Sequence, residues 1–374
     1  MIALTRTDTS KLGRWWWTVD RWLLLAILLL FTVGIVLAMA ASPAVANRIG
    51  LDSFYFVRRH VAMMPIALLI MIAISLANPK EIRKIAGIVF LVCMPLMGLV
   101  LIAGAEIKGA QRWIAIGGFS LQPSEIIKPA FAVVSGALFA TQKQGRGIPG
   151  NLIATVLYGI VLSLLLLQPD LGMAFVVSAV WFAQFFVAGL PLMLVGSFAA
   201  LGFGGLVGSY FLFPHVQSRV DRFLDPSSGD SFQIEKSLEA FTNGGLFGRG
   251  PGEGTVKAHL PDAHADFIFS VAGEEFGIIA CIAIVGLFAF IVLRGFSRLM
   301  QDTNLFVVLA STGLLVQFGL QAVINMASSL HLMPTKGMTL PFLSYGGSSM
   351  LGLAFGMGMI LALTRRRFGP EEDA

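Results

Sequence analysis

Apolar runs long enough to cross a bilayer recur along the whole chain, separated by short segments rich in Lys, Arg, Gly and Pro. A helix crossing a bilayer needs about 20 apolar residues. The pattern predicts ten such helices, at roughly 22–42, 61–77, 86–104, 123–140, 151–167, 172–188, 192–213, 267–293, 304–326 and 347–364. The fifth run ends at the breaker QPDLG, 168–172, and the sixth and seventh are separated by Gly189, Leu190 and Pro191. The expected fold is an all-α polytopic membrane protein. It has an N-terminal segment, 1–21, a transmembrane unit, 22–364, and a C-terminal tail, 365–374, that opens with Arg365 to Arg367. One long loop, about 214–266, lies between helices 7 and 8.

Lys and Arg in short loops set orientation, because cytoplasmic loops carry the excess. With the N-terminus inside, the inner segments hold fourteen Lys/Arg and the short outer loops six. Both termini are then cytoplasmic, and the long loop faces out. Trp15 to Trp17, beside Arg14 and Arg21, suit an interfacial anchor.

Composition agrees with this reading: hydrophobic residues make up 56% of the chain and charged residues 13%. Soluble domains carry roughly 25% charged residues. The net charge of +5 follows from topology, so no nucleic-acid partner is expected. Cys93 and Cys281 both fall in apolar runs and are expected as free thiols. Ala38–Ser42 has the small residues of a signal-peptidase site, but the run is long enough to span and many spans follow.

Inside the long loop, Ile234, Leu238 and Phe241 recur at helical spacing with Glu235, Lys236 and Glu239 between them. An amphipathic helix over 232–247 at the outer surface is expected, stopped by Asn243-Gly244-Gly245. The next stretch, GRGPGEGTVKAHLPDAHADFIFSVAGEEFG (248–277), gathers Lys257, His259, Asp262, His264 and Asp266, then enters an apolar helix carrying Glu274 and Glu275. Ionisable groups at a membrane boundary are costly and mark functional sites.

Other outward-facing polar groups are Arg112 with Trp113, Glu125 with Lys128, Asp170, and Lys336 with the SYGGSS turn. Glu125 and Lys128 are three apart on a helix and can form a structural ion pair or serve a site. Asp170 and Asp266 each precede a predicted helix, so each reads as an N-cap or as a functional carboxylate. An ionised Asp266 can accept a proton or hold a metal. The His/Asp spacing of 259–266 matches no zinc motif, and Mg²⁺ or Mn²⁺ on carboxylate oxygens is the natural alternative. GRGPGEG lacks the strand and the GK[ST] of a phosphate loop.

LPDAHADFIFSVAGEEFG, GAQRWIAIGGFSLQPSEIIK, QPDLG and NMASSLHLMPTKGMTLPFLSYGGSS together resemble the signatures of the SEDS family (shape, elongation, division and sporulation), in the same order. The Pro-Thr-Lys-Gly run at 334–337 is more similar to the division branch than to the elongation branch. Two departures stand in the main block: Asp262 where the family has Glu, and Ala265 where it has Thr.

The resemblance implies a peptidoglycan glycosyltransferase that polymerises lipid II at the outer face of the bacterial inner membrane, at the septum. It implies Asp266 as the essential carboxylate, Trp113 as the groove tryptophan, and Glu125 and Lys128 as the buried acid–base pair. Inversion would have Asp266 take a proton from the acceptor hydroxyl. Arg112, Lys257, Lys336 or a divalent cation would bear the charge of departing undecaprenyl pyrophosphate. Asp170 and His264 complete the expected substrate-binding set. No organic cofactor is expected. The implied partners are a class B penicillin-binding protein acting as septal transpeptidase, divisome regulators and membrane lipids. A lipid II flippase and a non-catalytic divisome scaffold are the rival readings.

Overall fold

All ten apolar runs are helices in the computed structural model, which describes residues 10–366 except 108–109, 117–118, 146, 190–191, 213, 225–231 and 335–336. In chain order the helices are α1 (Lys11–Thr18), α2 (Arg21–Arg48), α3 (Tyr55–Ser75), α4 (Pro79–Ala103), α5 (Pro123–Lys143), α6 (Gly150–Leu167) and α7 (Leu171–Val187). They continue as α8 (Leu192–Leu212), α9 (Pro214–Leu224), α10 (Phe232–Gly244), α11 (Ile268–Leu299), α12 (Leu305–Ser329) and α13 (Gly347–Leu363). Among the described residues seven helices are long and apolar enough to cross a membrane: α2 to α6, α11 and α12. The shorter apolar helices α7, α8 and α13 complete the ten predicted segments.

The centre of the bundle is α5, α12 and α13, whose buried faces include small residues as well as large apolar ones. Lipid tails are as apolar as Leu, so membrane helices associate by close packing that small residues permit. A Cβ on Gly352 of α13 would strike the Glu125 carbonyl of α5, and one on Gly358 would meet the Met71 carbonyl of α3 at 2.7 Å. The helices can approach only because these side chains are missing.

Two parts of the loops differ from the sequence reading. The outer segment after α4 is a three-stranded antiparallel sheet of β1 (Ala105–Ile107), β2 (Ala110–Ile116) and β3 (Phe119–Leu121), in that order. Ile114-Ala115-Ile116 and Phe119-Ser120-Leu121 each put a small residue between two large apolar ones on either side of a Gly pair, a hairpin signal that span-length windows pass over. α10 forms where expected but packs through a different face. Ser237, Ala240, Phe241 and Gly244 are buried, whereas Leu238 is 37% exposed. Ser237 explains the shift: its hydroxyl donates to the Ser329 carbonyl of α12 (2.6 Å) and lies 2.6 Å from Ser270 Oγ of α11.

α11 is broken at Gly277, where φ is +80° and ψ 178°. A break in a membrane helix exposes backbone groups that lipid cannot satisfy. Here residues 245–250 satisfy them: Arg249 and Gly250 N–H donate to the carbonyls of Glu274 (2.9 Å) and Glu275 (3.0 Å). In return Ile278 and Ile279 N–H donate to Gly245 (3.0 Å) and Leu246 (3.3 Å). A Cβ at Gly277 would collide with Gly248 N and Leu246 O. Gly277→Ala is therefore expected to lower the thermal midpoint in detergent and expose 245–255 to protease. The left-handed conformation alone costs a non-glycine residue about 1–2 kcal/mol.

At the cytoplasmic end, Asp20 caps α2, accepting from Trp22 N (3.1 Å) and Leu23 N (3.2 Å). Its other oxygen accepts from Arg294 Nε (2.9 Å) and Arg298 Nε (2.5 Å), tying the start of α2 to the end of α11. Burial raises the Asp20 pKa, but the bonds from Arg298, Leu23 and Arg294 outweigh it and hold the carboxyl below its ordinary 3.8. A depressed carboxyl stabilises the fold above its unfolded pKa, and the contribution is lost as pH falls through the folded value. Asp20→Asn should cost about 1 kcal/mol at pH 7 in this partly exposed cluster. Melting wild type and variant from pH 7 downward should show a constant gap that closes only below pH 3.8.

Candidate functional site

The helix after Asp266 starts one residue later than an Asp266 cap would require. The N-cap is Phe267, which makes no side-chain capping bond, so Asp266 stands outside the helix in a turn. That turn is set by Asp262, at φ +52°, whose carbonyl accepts from Ala265 N (2.9 Å) and Asp266 N (3.0 Å). Asp enters the left-handed region more readily than Glu, which gives the departure at this position a physical basis.

Asp266 is half-buried, and a short return segment lies against it. A Cβ on Gly337 would sit 3.3 Å from Asp266 Oδ2. The two stretches are stitched together by Asn325 of α12, whose Nδ2 donates to the carbonyls of Asp266 (2.9 Å) and Met338 (2.6 Å). Two carbonyl partners require that nitrogen to face them. Further stitches run from Ser344 Oγ to Ala265 O (2.6 Å) and from Tyr345 N to His264 O (2.9 Å).

The same return segment collects the other polar groups. Met338 packs against α7 at Gly172, where a Cβ would lie 3.2 Å from its sulfur and 3.8 Å from Asp170 Oδ1. Asp170 is the N-cap of α7, accepting from Met173 N (3.2 Å), and pairs with Arg112 Nη1 at 3.3 Å. Arg112 also donates to the carbonyls of Gln168 (2.9 Å) and Pro169 (2.5 Å). Capping and pairing thus coexist in Asp170. The next residue, Thr339, reaches the third cluster: Gln321 Nε2 donates to its carbonyl at 3.1 Å, and Lys128 Nζ donates to Gln321 Oε1 at 3.1 Å. Lys128 pairs with Glu125 at 2.9 Å, and both are buried. Gly337, Met338 and Thr339 therefore touch, in succession, the Asp266, Asp170 and Lys128 clusters.

Several expected site residues are engaged elsewhere. Lys257 is buried, ion-paired with Glu275 and bonded to Ala40 O (3.0 Å). It fastens the loop to α2 and α11, and its ammonium is not presented beside Asp266. Glu274 works likewise, accepting from the N–H groups of Thr255 (2.8 Å), Val256 (2.7 Å) and Lys257 (2.8 Å) and from Asn243 Nδ2 (2.9 Å). The His264 ring is a packing element, its centroid 4.0 Å from that of Phe56 and 5.4 Å from that of Tyr345. Trp113 is half-buried on β2, and strand alternation points it away from the side on which Arg112 meets Asp170. Lys336 lies outside the described residues.

Asn325 and Gln321 escape a sequence reading because an amide in an apolar run carries no charge. Their spacing of four places both on one face of α12, a signal that was available. Arg59 is exposed and lies 4.9 Å from the Tyr55 ring centroid. Among the described residues no three His, Cys, Asp or Glu gather as a metal site. Chemically the site is one half-buried carboxylate on a rigid clamp, with guanidinium groups at Arg59 and Arg112 on the same outer side.

A family model described as cell cycle protein, covering FtsW, RodA and SpoVE, matches residues 21–368. A relative from Caulobacter vibrioides, named probable peptidoglycan glycosyltransferase FtsW, is 46% identical over 368 residues, covering 98% of this chain and 94% of its own. A protein of the same name from Coxiella burnetii is 35% identical, over 93% of this chain and 96% of its own. A chain solved in work on polymerization and crosslinking by a peptidoglycan synthase complex superposes with TM-score 0.76 at 28% identity, covering 92% of this chain and 97% of that one. The rod shape determining protein RodA of Thermus thermophilus gives 0.66 at 27% identity, over 92% and 96%. With matches spanning nearly its full length, the chain belongs to the FtsW/RodA/SpoVE family of cell cycle proteins.

Proposed function

We propose that this chain is a peptidoglycan glycosyltransferase that polymerises lipid II into glycan strands for septal wall synthesis, in the bacterial cytoplasmic membrane. The observation that carries the reading is the Asp266 carboxylate, held at the outer end of the bundle by Asn325 and the 337–345 segment. The names of the relatives and the synthase-complex neighbour support it.

In this reading Asp266 accepts the proton of the acceptor sugar hydroxyl as its oxygen attacks the anomeric carbon of the donor. The donor bond to pyrophosphate breaks, inverting that carbon. Undecaprenyl pyrophosphate is a good leaving group, so no second carboxylic acid is required, in contrast to glycoside hydrolases. Cations stabilise the charge it gains. Arg112 and Arg59 are the cations of choice, Lys336 remains a candidate, and Lys257 is left out because Glu275 occupies it. A divalent cation would enter with the pyrophosphate, using Asp266 as one ligand. A class B penicillin-binding protein is the natural crosslinking partner, with divisome regulators controlling the pair.

Asp266→Asn keeps the shape and removes the base, so glycan ladders from labelled lipid II should fall by about 10²- to 10⁴-fold. The assay uses the purified protein with its transpeptidase, and equal melting midpoints establish that the variant is folded. Undiminished ladders would remove Asp266 from the chemistry. Ladders from neither protein, with lipid II transported across vesicles instead, would favour the flippase. Asn325→Ala should act through position: turnover falls about 10²-fold, as for small misplacements of a reacting group, while the KM for lipid II changes little. A matched rise in KM would assign Asn325 to substrate binding instead.

A further inference from the structure

An apolar groove of about 540 Å³ opens sideways between α2 and α11, away from Asp266. Leu29, Val33 and Leu37 line it from α2, and Phe276, Ile284 and Phe290 from α11. Thr32 adds no polarity, since its hydroxyl donates to the Leu28 carbonyl at 3.1 Å. Small residues on α11, Ala280, Ala283 and Gly286, form its floor, and Leu25 and Leu293 near its cytoplasmic end are 56% and 68% exposed.

One helical turn past Phe290 stands Arg294, and one turn further Arg298. Both spend their Nε on a single oxygen of Asp20, and among the described residues their terminal nitrogens make no hydrogen bond. Arg21, the residue after Asp20, is turned to α1 instead, its guanidinium 5.0 Å and 4.9 Å from the Trp16 and Trp17 ring centroids. Two guanidinium groups thus meet one carboxylate at the mouth of an apolar groove, at the level of the cytoplasmic headgroups.

We propose that this is a binding site for an anionic phospholipid of the cytoplasmic leaflet. One acyl chain lies in the groove between α2 and α11, and the phosphate accepts from the terminal N–H groups of Arg294 and Arg298. Basic pockets between helices on the cytoplasmic side recognise anionic headgroups in this way. A zwitterionic lipid would leave the local positive charge unbalanced. A single-span partner helix fits less well, because spans bring their own Lys and Arg to the cytoplasmic end. A polyprenyl pyrophosphate would carry its headgroup to the opposite, outer end, where Asp266 stands. The lipid would close the seam between α2 and α11, the helices that Asp20 joins below and Lys257 above.

The test is thermal melting of the full-length protein in detergent with phosphatidylglycerol, with phosphatidylcholine of the same chains, or with inorganic phosphate, alongside native mass spectrometry. Phosphatidylglycerol should raise the midpoint by about 3 °C or more, as expected of a ligand well above its Kd, and the other two should not. Arg294→Gln, which keeps the Arg298–Asp20 bond, should at least halve the shift. Ala283→Trp, which fills the groove, should abolish it, and bound phosphatidylglycerol should fall in the spectra of the first variant and vanish from those of the second. Equal shifts from the two lipids or from phosphate, or an undiminished shift in both variants, would overturn the proposal. So would spectra in which a polyprenyl phosphate or a copurified single-span protein takes the place of the phospholipid. The comparison of additives on the wild-type protein stands even if a variant does not fold.

Discussion

Everything at the outer face depends on one buried amide. Asn325 donates to two backbone carbonyls, Asp266 O and Met338 O, that belong to segments about 70 residues apart. A buried carbonyl left without a donor costs roughly 1–3 kcal/mol. A side chain with a single acceptor or no donor could not serve both. By fixing Met338, Asn325 also fixes Gly337 against the Asp266 carboxylate and Thr339 against Gln321. The position of Asp266 is thus set from the C-terminal end of α12, through backbone carbonyls.

The buried ions fit the same logic. Glu125 and Lys128 sit in α5 with almost no exposure, where desolvation opposes their mutual attraction and a pair adds little net stability. Their value lies in direction. Lys128 also holds Gln321, and Gln321 holds Thr339, so the pair anchors the polar chain that ends at the return segment. Lys257 and Glu275 do the equivalent work for the loop, fastening it to α2 through Ala40 O. Asp266 stands in a turn outside the helix, with its backbone carbonyl held by Asn325.

Much of this was legible in the sequence, for physical reasons. Helix positions follow from continuous apolar length, which lipid enforces strictly, and all ten runs became helices. The Glu125–Lys128 pair and the Asp170 cap follow from spacing of three on a helix and from the QPDLG breaker. Asp266 was legible as an ionisable residue at a helix mouth, although its neighbour Phe267 takes the cap. What spacing could not give is partner choice. Lys257 and Glu275 are 18 apart with a loop between, so their pairing depends on the break at Gly277 and on which way the loop folds back. Likewise the stacking of His264 on Phe56 joins residues far apart in sequence. Neutral amides such as Asn325 were passed over because a search for charge does not see them.

The broken helix explains how a polar loop is kept at a lipid boundary. A straight α11 would carry its N-terminus onward, and the chain from 245 to 266 would hang free in solvent. With Gly277 at positive φ, the carbonyls of Glu274 and Glu275 turn outward and take Arg249 and Gly250, while Gly245 and Leu246 return the bonds to Ile278 and Ile279. The side chain of Glu274 then gathers the backbone N–H groups of 255–257 from the same point. One non-helical residue therefore supplies the backbone acceptors, and the two acids just before it supply the side-chain ones. These bonds, with the Lys257–Glu275 pair, tie the loop leading to Asp266 to α11. That rigidity is what lets a single carboxylate at its end be held in register with Gly337.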